Sequence, residues 1–172
     1  MKKLLVVIDM QNDFITGQLG SEEARAVVPA VVKKVETAIA EGTEVLFTQD
    51  THDDNYLNTQ EGRNLPLKHC IKGTEGWKII PELEQFTEGR TIVEKPSFGS
   101  LELGRIAAEG NYEAIELVGV CTDICVISNA MVLKAAVPEV PISVDELCCA
   151  GVSVASHEDA LDAMRMCQIA VI

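Results

Sequence analysis

Apolar residues recur along the chain in two patterns. Short, mostly apolar runs at residues 4–8 (LLVVI), 44–48 (EVLFT), 90–93, 114–120 (AIELVGV), 140–144 and 168–171 read as strands. Between them the spacing becomes helical. Val28, Val31, Val32, Val35 and Ile39 recur at three- and four-residue intervals within residues 27–40, and Glu41-Gly42 closes that pattern as a helix end. Residues 101–109, 123–135 and 156–166 show the same spacing. Strands that are apolar on both faces and alternate with helices predict a mostly parallel sheet covered on both sides. The expected architecture is therefore a doubly wound, Rossmann-like α/β fold of six strands. No repeat or linker divides the sequence, so residues 1–172 read as one domain. Residues 50–89 break the alternation: this stretch is polar and rich in turn residues, and a loop of such length is usually functional.

Charge and cysteine usage narrow the function classes. Against 14 Lys+Arg stand 27 Asp+Glu, a formal charge of −13. That balance argues against nucleic acid and against an anionic membrane surface as partners. The apolar runs are strand-sized, far short of the roughly 20 residues a membrane span needs. Two lysines precede the first run and Asp9 ends it at once, a pattern of a first strand and not of a signal peptide. Six cysteines are present, two of them adjacent (Cys148 and Cys149). With no secretory signal, the expectation is reduced thiols in the cytoplasm.

In open α/β sheets, ligands bind beyond the carboxyl ends of the strands. Asp9 follows the first predicted strand, Asp50 and His52 the second, Lys95 the third, and Cys121 to Cys125 the fourth. Cys125 falls in the first turn of the next predicted helix, with Thr122 or Asp123 as N-cap. A helix N-terminus lowers a thiol pKa and leaves amides free for an oxyanion. Taken alone, a cysteine between Ile124 and Val126 reads equally as a small core residue, Asp9 as a turn cap, and Lys95 as a solvated charge. The Cys121/Cys125 spacing is not that of a thioredoxin-like redox pair. In the long loop, Asp50, His52, Glu61 and His69 offer carboxylate and imidazole donors that suit a divalent ion such as zinc; the alternative is a hydrated surface loop. His157 reads as a helix-start residue without chemistry. Phe14, Tyr56, Trp77 and Phe98 fall in or near these loops, where they would wall a pocket for a flat ligand or fold down onto the sheet edge.

Three segments carry a resemblance: VVIDMQNDF (6–14), Glu94-Lys95, and GVCTDICV (119–126). In this order they resemble the isochorismatase-like cysteine hydrolases, and among them the nicotinamidases, over essentially the whole chain. The resemblance implies a triad of Asp9 as general base, Cys125 as nucleophile and Lys95 as the group that steadies the thiolate. It implies a cis peptide between Val120 and Cys121, with the amides of Cys121 and Cys125 facing an oxyanion. It also implies a divalent metal (zinc, iron or manganese) on Asp50, His52 and His69, with Glu61 as a further ligand. Phe14, Val120 and Phe98 become the expected pocket residues, a small amide the expected substrate, and a homo-oligomer the expected state. Two departures stand out. Leu57 and Asn58 occupy the place where other nicotinamidases carry a third histidine, and the segment after Lys95 is shorter and less aromatic than usual. The expected reaction is hydrolysis of nicotinamide to nicotinate and ammonia through a thioester. Another small amide or N-carbamoyl compound would use the same triad, whereas a non-catalytic metal- or partner-binding module would have no need of it.

Overall fold

Successive side chains of the first strand point to opposite sides of the sheet, and each side finds its own core. In the computed structural model, which describes residues 2–172, six strands form one sheet. They are β1 (Lys3–Ile8), β2 (Glu44–Asp50), β3 (Ile92–Lys95), β4 (Ala114–Val120), β5 (Ile142–Ala150) and β6 (Ala170–Val171). The α-helices are α1 (Asn12–Ile15), α2 (Glu22–Ala40), α3 (Gln60–Asn64), α4 (Pro81–Glu84), α5 (Leu101–Gly110), α6 (Ile127–Ala136) and α7 (Val154–Met166). Leu5 and Val7 enter a core shared with Phe14 of α1, Val31 and Val35 of α2, and Leu83 of α4. Leu4, Val6 and Ile8 enter the other, with Leu103 of α5, Leu133 of α6 and Leu161 of α7. Each such aliphatic side chain taken from water contributes about 1.5–3 kcal/mol before entropy is counted. This is the expected α/β architecture with helices on both faces.

The strand order is β3-β2-β1-β4-β5-β6, and every neighbouring pair is parallel. From β1 the chain steps outward through β2 to β3, then returns to lay β4 against the other side of β1. The order therefore reverses between β1 and β4, which makes their carboxyl ends the switch point where ligands bind in such sheets.

Several boundaries differ from the sequence expectation. Helix α2 begins at Glu22 because Ser21 caps it, its hydroxyl accepting from the Ala24 amide at 3.0 Å. Strand β3 is shifted toward its carboxyl end, so Lys95 is its last residue and pairs in register with Asp50. Strand β5 runs on to Ala150. Its pairing with β4 shifts register between Leu117 and Gly119, which face Val144 and Cys149, and this irregularity hides Asp145–Leu147 from any simple alternation. Lys34 of α2 accounts for two polar strand residues, with its ammonium 2.7 Å from both Glu116 of β4 and Asp145 of β5. Among the described residues no helix is long and apolar enough to cross a membrane.

Candidate active site

Four strand ends converge at the switch point. Asp9 leaves β1 with φ 48°, a left-handed backbone that Asp tolerates better than most residues. Thr48 of β2 fixes it twice: its hydroxyl donates to Asp9 Oδ1 at 2.6 Å and accepts from the Asp9 amide at 3.2 Å. Lys95 then places its ammonium 2.6 Å from Asp9 Oδ2, 3.5 Å from Cys125 Sγ and 3.7 Å from Asp50 Oδ1. The Asp9 and Lys95 side chains are both 0% exposed, and Cys125 is 5% exposed. Residues distant in the chain thus meet in a low-dielectric corner, where each charge depends on the other.

The thiol is presented by a tight turn. Gly119, the penultimate residue of β4, has φ 120°, and a Cβ there would lie 2.1 Å from the Ile8 carbonyl oxygen. Only glycine lets β4 approach β1 so closely. The Val120–Cys121 peptide is cis, as the resemblance implies. The next turn, Thr122–Val126, is a π-helix, and the amides of both Ile124 and Val126 donate to the Cys121 carbonyl. Thr122 and Asp123 do not cap it, contrary to expectation. Thr122 Oγ1 is hydrogen-bonded to His157 Nδ1 at 2.8 Å, and the Asp123 carboxylate accepts from the Val152 amide at 3.1 Å. Both side chains are drawn sideways, Thr122 to the first turn of α7 and Asp123 to the segment before it, so His157, which carried no expected role, braces the cysteine turn.

Burial opposes the lowering of the thiol pKa expected at a helix start. Burial, then the charge of Asp9, pushes the Cys125 thiol well above its ordinary range, and Lys95 only partly offsets this. Burial likewise raises the Asp9 carboxyl, against the pull of Lys95. The Lys95 ammonium is held above the usual lysine range despite burial, because Asp9, Cys125 and Asp50 all favour its charge. The thiol and the carboxyl thus lie side by side next to one fixed positive charge, that of Lys95.

Beside this corner, Asp50, His52, Glu61 and His69 turn their donor atoms toward one point, all within 4.8 Å of one another. Asp50 Oδ2 lies 3.0 Å from His52 Nε2 and 3.3 Å from His69 Nε2, and both imidazole nitrogens lie 3.6 Å from Glu61 Oε1. Tetrahedral N/O donors about 2.1 Å from a zinc-sized cation have edges of about 3.4 Å, close to these separations. The second nitrogen of His69 is 2.9 Å from the Leu67 carbonyl, the kind of partner that orients a ligand imidazole. Asp50 Oδ1 is buried without a hydrogen-bond donor, and Asp9, Asp50 and Glu61 share the single ammonium of Lys95. The donor chemistry and the surplus negative charge both fit a divalent cation.

The sequence motif after Asp9 holds this ligand loop in place. The wholly buried Gln11 side chain accepts from the Asp50 amide and donates to the Asp50 and Trp77 carbonyls, at 2.8, 2.9 and 2.8 Å. Asp13 accepts from the Cys70 amide at 2.8 Å, next to His69. Tyr56 and Trp77 serve packing within the loop: the Tyr56 ring sits about 5 Å from the His52 and His69 imidazoles, and the Trp77 indole donates to Thr51. Neither lines the cavity.

That cavity, of about 420 Å³, is bounded by Cys125, Cys121 and Ile124 on one side and by Asp50, Glu61 and His69 on another. Phe14, Leu19, Leu65, Phe98 and Val152 complete its apolar wall. Its size suits a small ligand. Phe14 and Phe98 stand where a pocket was expected. Val120 does not: it is wholly buried in the core beneath, because it precedes the bend that turns Cys121 outward.

The family model for the isochorismatase domain matches residues 3–172. An uncharacterized isochorismatase family protein, PncA, of Bacillus subtilis (strain 168) is 34% identical over 143 residues, 76% of this chain and 78% of that one. Among solved structures, nicotinamidase PncA from Bacillus subtilis is 29% identical with a TM-score of 0.82 over 99% of each chain. N-carbamoylsarcosine amidase from Thermoplasma acidophilum is 28% identical with a TM-score of 0.82, covering 99% of this chain and 95% of that one.

Proposed function

The chain belongs to the isochorismatase family of hydrolases, and within it we propose that it is a cysteine-dependent amidohydrolase that converts nicotinamide to nicotinate and ammonia. One observation carries the reading: a buried Asp9–Lys95 pair faces the Cys125 thiol on the wall of a cavity that also holds four convergent ligand donors.

Substrate enters with its carboxamide toward Cys125. Asp9 takes the thiol proton as sulfur adds to the carboxamide carbon. Lys95 keeps a fixed positive charge beside the sulfur and the acid. The amides of Cys121 and Cys125 receive the oxyanion. Asp9 returns the proton to the departing nitrogen, and ammonia leaves. Asp9 then deprotonates water for attack on the thioester, which frees nicotinate and restores the thiol. Asp50, His52, Glu61 and His69 would hold a divalent cation, zinc by the chemistry of the donors, and its Lewis acidity would anchor the ring nitrogen. The reading places the enzyme in a reducing cytoplasm, where its free cysteines stay reduced.

Substrate charge separates this reading from its nearest rival. The cavity wall includes Asp50 and Glu61 but no Lys or Arg among the described residues. A neutral aromatic amide meets an apolar wall there, whereas an N-carbamoyl amino acid would bring a carboxylate that no Lys or Arg of the wall pairs. Purified enzyme should release ammonia from nicotinamide with a kcat/KM of about 10⁴ M⁻¹ s⁻¹ or more. N-carbamoylsarcosine should be turned over about 100-fold less efficiently. About one equivalent of divalent metal should accompany the protein, and stripping it with a chelator should cost about 10-fold or more in kcat/KM. Preference for the carbamoyl compound would refute the nicotinamide assignment, and full activity without metal would refute the role given to the four ligands.

A further inference from the structure

Asn129 is a polar side chain at 0% exposure, one turn beyond Cys125 on α6. Its amide is fully used. The side-chain oxygen accepts from the Ser100 amide at 2.9 Å, and its nitrogen donates to the carbonyls of Phe98 at 3.0 Å and Cys125 at 2.8 Å. Ser100 in turn caps α5, its hydroxyl accepting from the Leu103 amide at 3.1 Å. At the other end of the same short loop, Lys95 donates to the Ser97 carbonyl at 3.1 Å. The segment that carries Phe98 into the cavity is therefore held at both ends by residues tied to Cys125. Phe98 itself is 41% exposed.

We infer that Asn129 is a positioning residue, which sets the distance and angle between the Cys125 thiol and the Phe98 wall. An aromatic substrate needs the ring face and the nucleophile in fixed register, and a misplacement on the ångström scale is costly. A buried amide with three satisfied bonds is a stiff device for that purpose. The inference rests on the reading of Cys125 as the nucleophile, and it concerns aromatic ligands in particular.

The test compares wild type with Asn129→Ala, Phe98→Ala and the double variant. Each protein is treated with iodoacetamide and with the ring-bearing N-phenyliodoacetamide, and alkylation is scored on the Cys125 peptide by mass spectrometry. Wild type should favour the aryl reagent. Asn129→Ala should lower that preference about 5-fold or more, and Phe98→Ala should lower it to a similar extent. The double variant should show little further loss, because both changes remove one wall. With nicotinamide, Asn129→Ala should raise KM about 10-fold along with a smaller fall in kcat. An unchanged aryl preference in Asn129→Ala, with only a lower melting temperature, overturns the inference. So does a double variant whose losses multiply. If alanine prevents folding, Asn129→Asp keeps the volume and the Ser100 acceptor while turning the donor into a second acceptor. Its aryl preference should fall at neutral pH and recover toward wild type as the buried carboxyl takes up a proton. A pH-independent preference equal to that of wild type would again overturn it. Because alkylation needs no turnover, failure to hydrolyse nicotinamide would count against the substrate assignment alone.

Discussion

Cys125→Ala should abolish ammonia release from nicotinamide, lowering kcat by about 10⁵-fold, the scale seen when the nucleophile of a cooperating set is removed. Nothing else in the corner can replace it. The nearest nitrogen, Lys95 Nζ, lies 2.6 Å from Asp9 and is held above the ordinary lysine range in part by Asp9 and Asp50, both still present in the variant, so it remains an ammonium without a free electron pair. Cys121 also lines the cavity, but burial, together with the charges of Asp123 and Asp9, lifts its thiol to about 12. The fold should survive. Removing one buried sulfur costs about 1–2 kcal/mol, a fall of about 2–8 °C in melting temperature for a chain of this size. Cys125→Ser should lose nearly as much activity, since Asp9 would have to deprotonate an alcohol. A Cys125→Ala enzyme retaining a tenth of wild-type kcat would contradict this account.

The second large effect concerns the Asp9–Lys95 pair. At 2.6 Å and 0% side-chain exposure on both partners, each ion has given up its hydration for the other. Asp9→Asn keeps a residue type that accepts the positive φ and can still receive the Thr48 hydroxyl, yet it leaves Lys95 without its 2.6 Å partner, with the Asp50 carboxylate 3.7 Å away. Lys95→Met strands the Asp9 carboxylate instead. Each single change should destabilise the protein by about 3–5 kcal/mol in urea unfolding, because it leaves one buried charge unpaired. The double change should cost clearly less than the sum of the two. All three variants should lose about 10³-fold or more in kcat, in keeping with removal of a general base or its fixed counter-charge. Single-variant costs that add to within about 0.5 kcal/mol would show that the two groups do not act as a unit.

Much of the architecture was legible because a parallel sheet buries both faces of its strands. The run LLVVI stays apolar throughout and AIELVGV is broken only by Glu116. The same logic located the site, since Asp9, Asp50, Lys95 and Cys125 all end strands or follow them in the sequence, and β1 and β4 flank the reversal of strand order. What could not be read had specific causes. Thr122–Val126 keeps helical spacing of apolar residues, so nothing in its composition marks a π-turn, and its polar pair looked like a cap while serving as a brace to His157 and Val152. Asn129 is a polar residue on a helix, which pattern alone places in solvent, whereas three long-range or turn-to-turn hydrogen bonds place it in the core. Val120 was misplaced because one bend separates a core residue from a cavity residue. Gln11 and Asp13 lay inside the motif that carried the resemblance, and their task, gripping a loop about 40 to 60 positions away in sequence, has no local signature.

Covalent acyl transfer to Cys125 is tested most directly by partitioning with hydroxylamine. Nicotinamide and methyl nicotinate, which differ only in the leaving group, are hydrolysed separately in the same hydroxylamine concentration, and nicotinohydroxamate is measured against nicotinate. A shared thioester predicts the same hydroxamate-to-nicotinate ratio from both substrates, with neither product formed by Cys125→Ala. A ratio that follows the leaving group, or nicotinate formation from nicotinamide without capture at any hydroxylamine concentration, would mean that water attacks the amide directly.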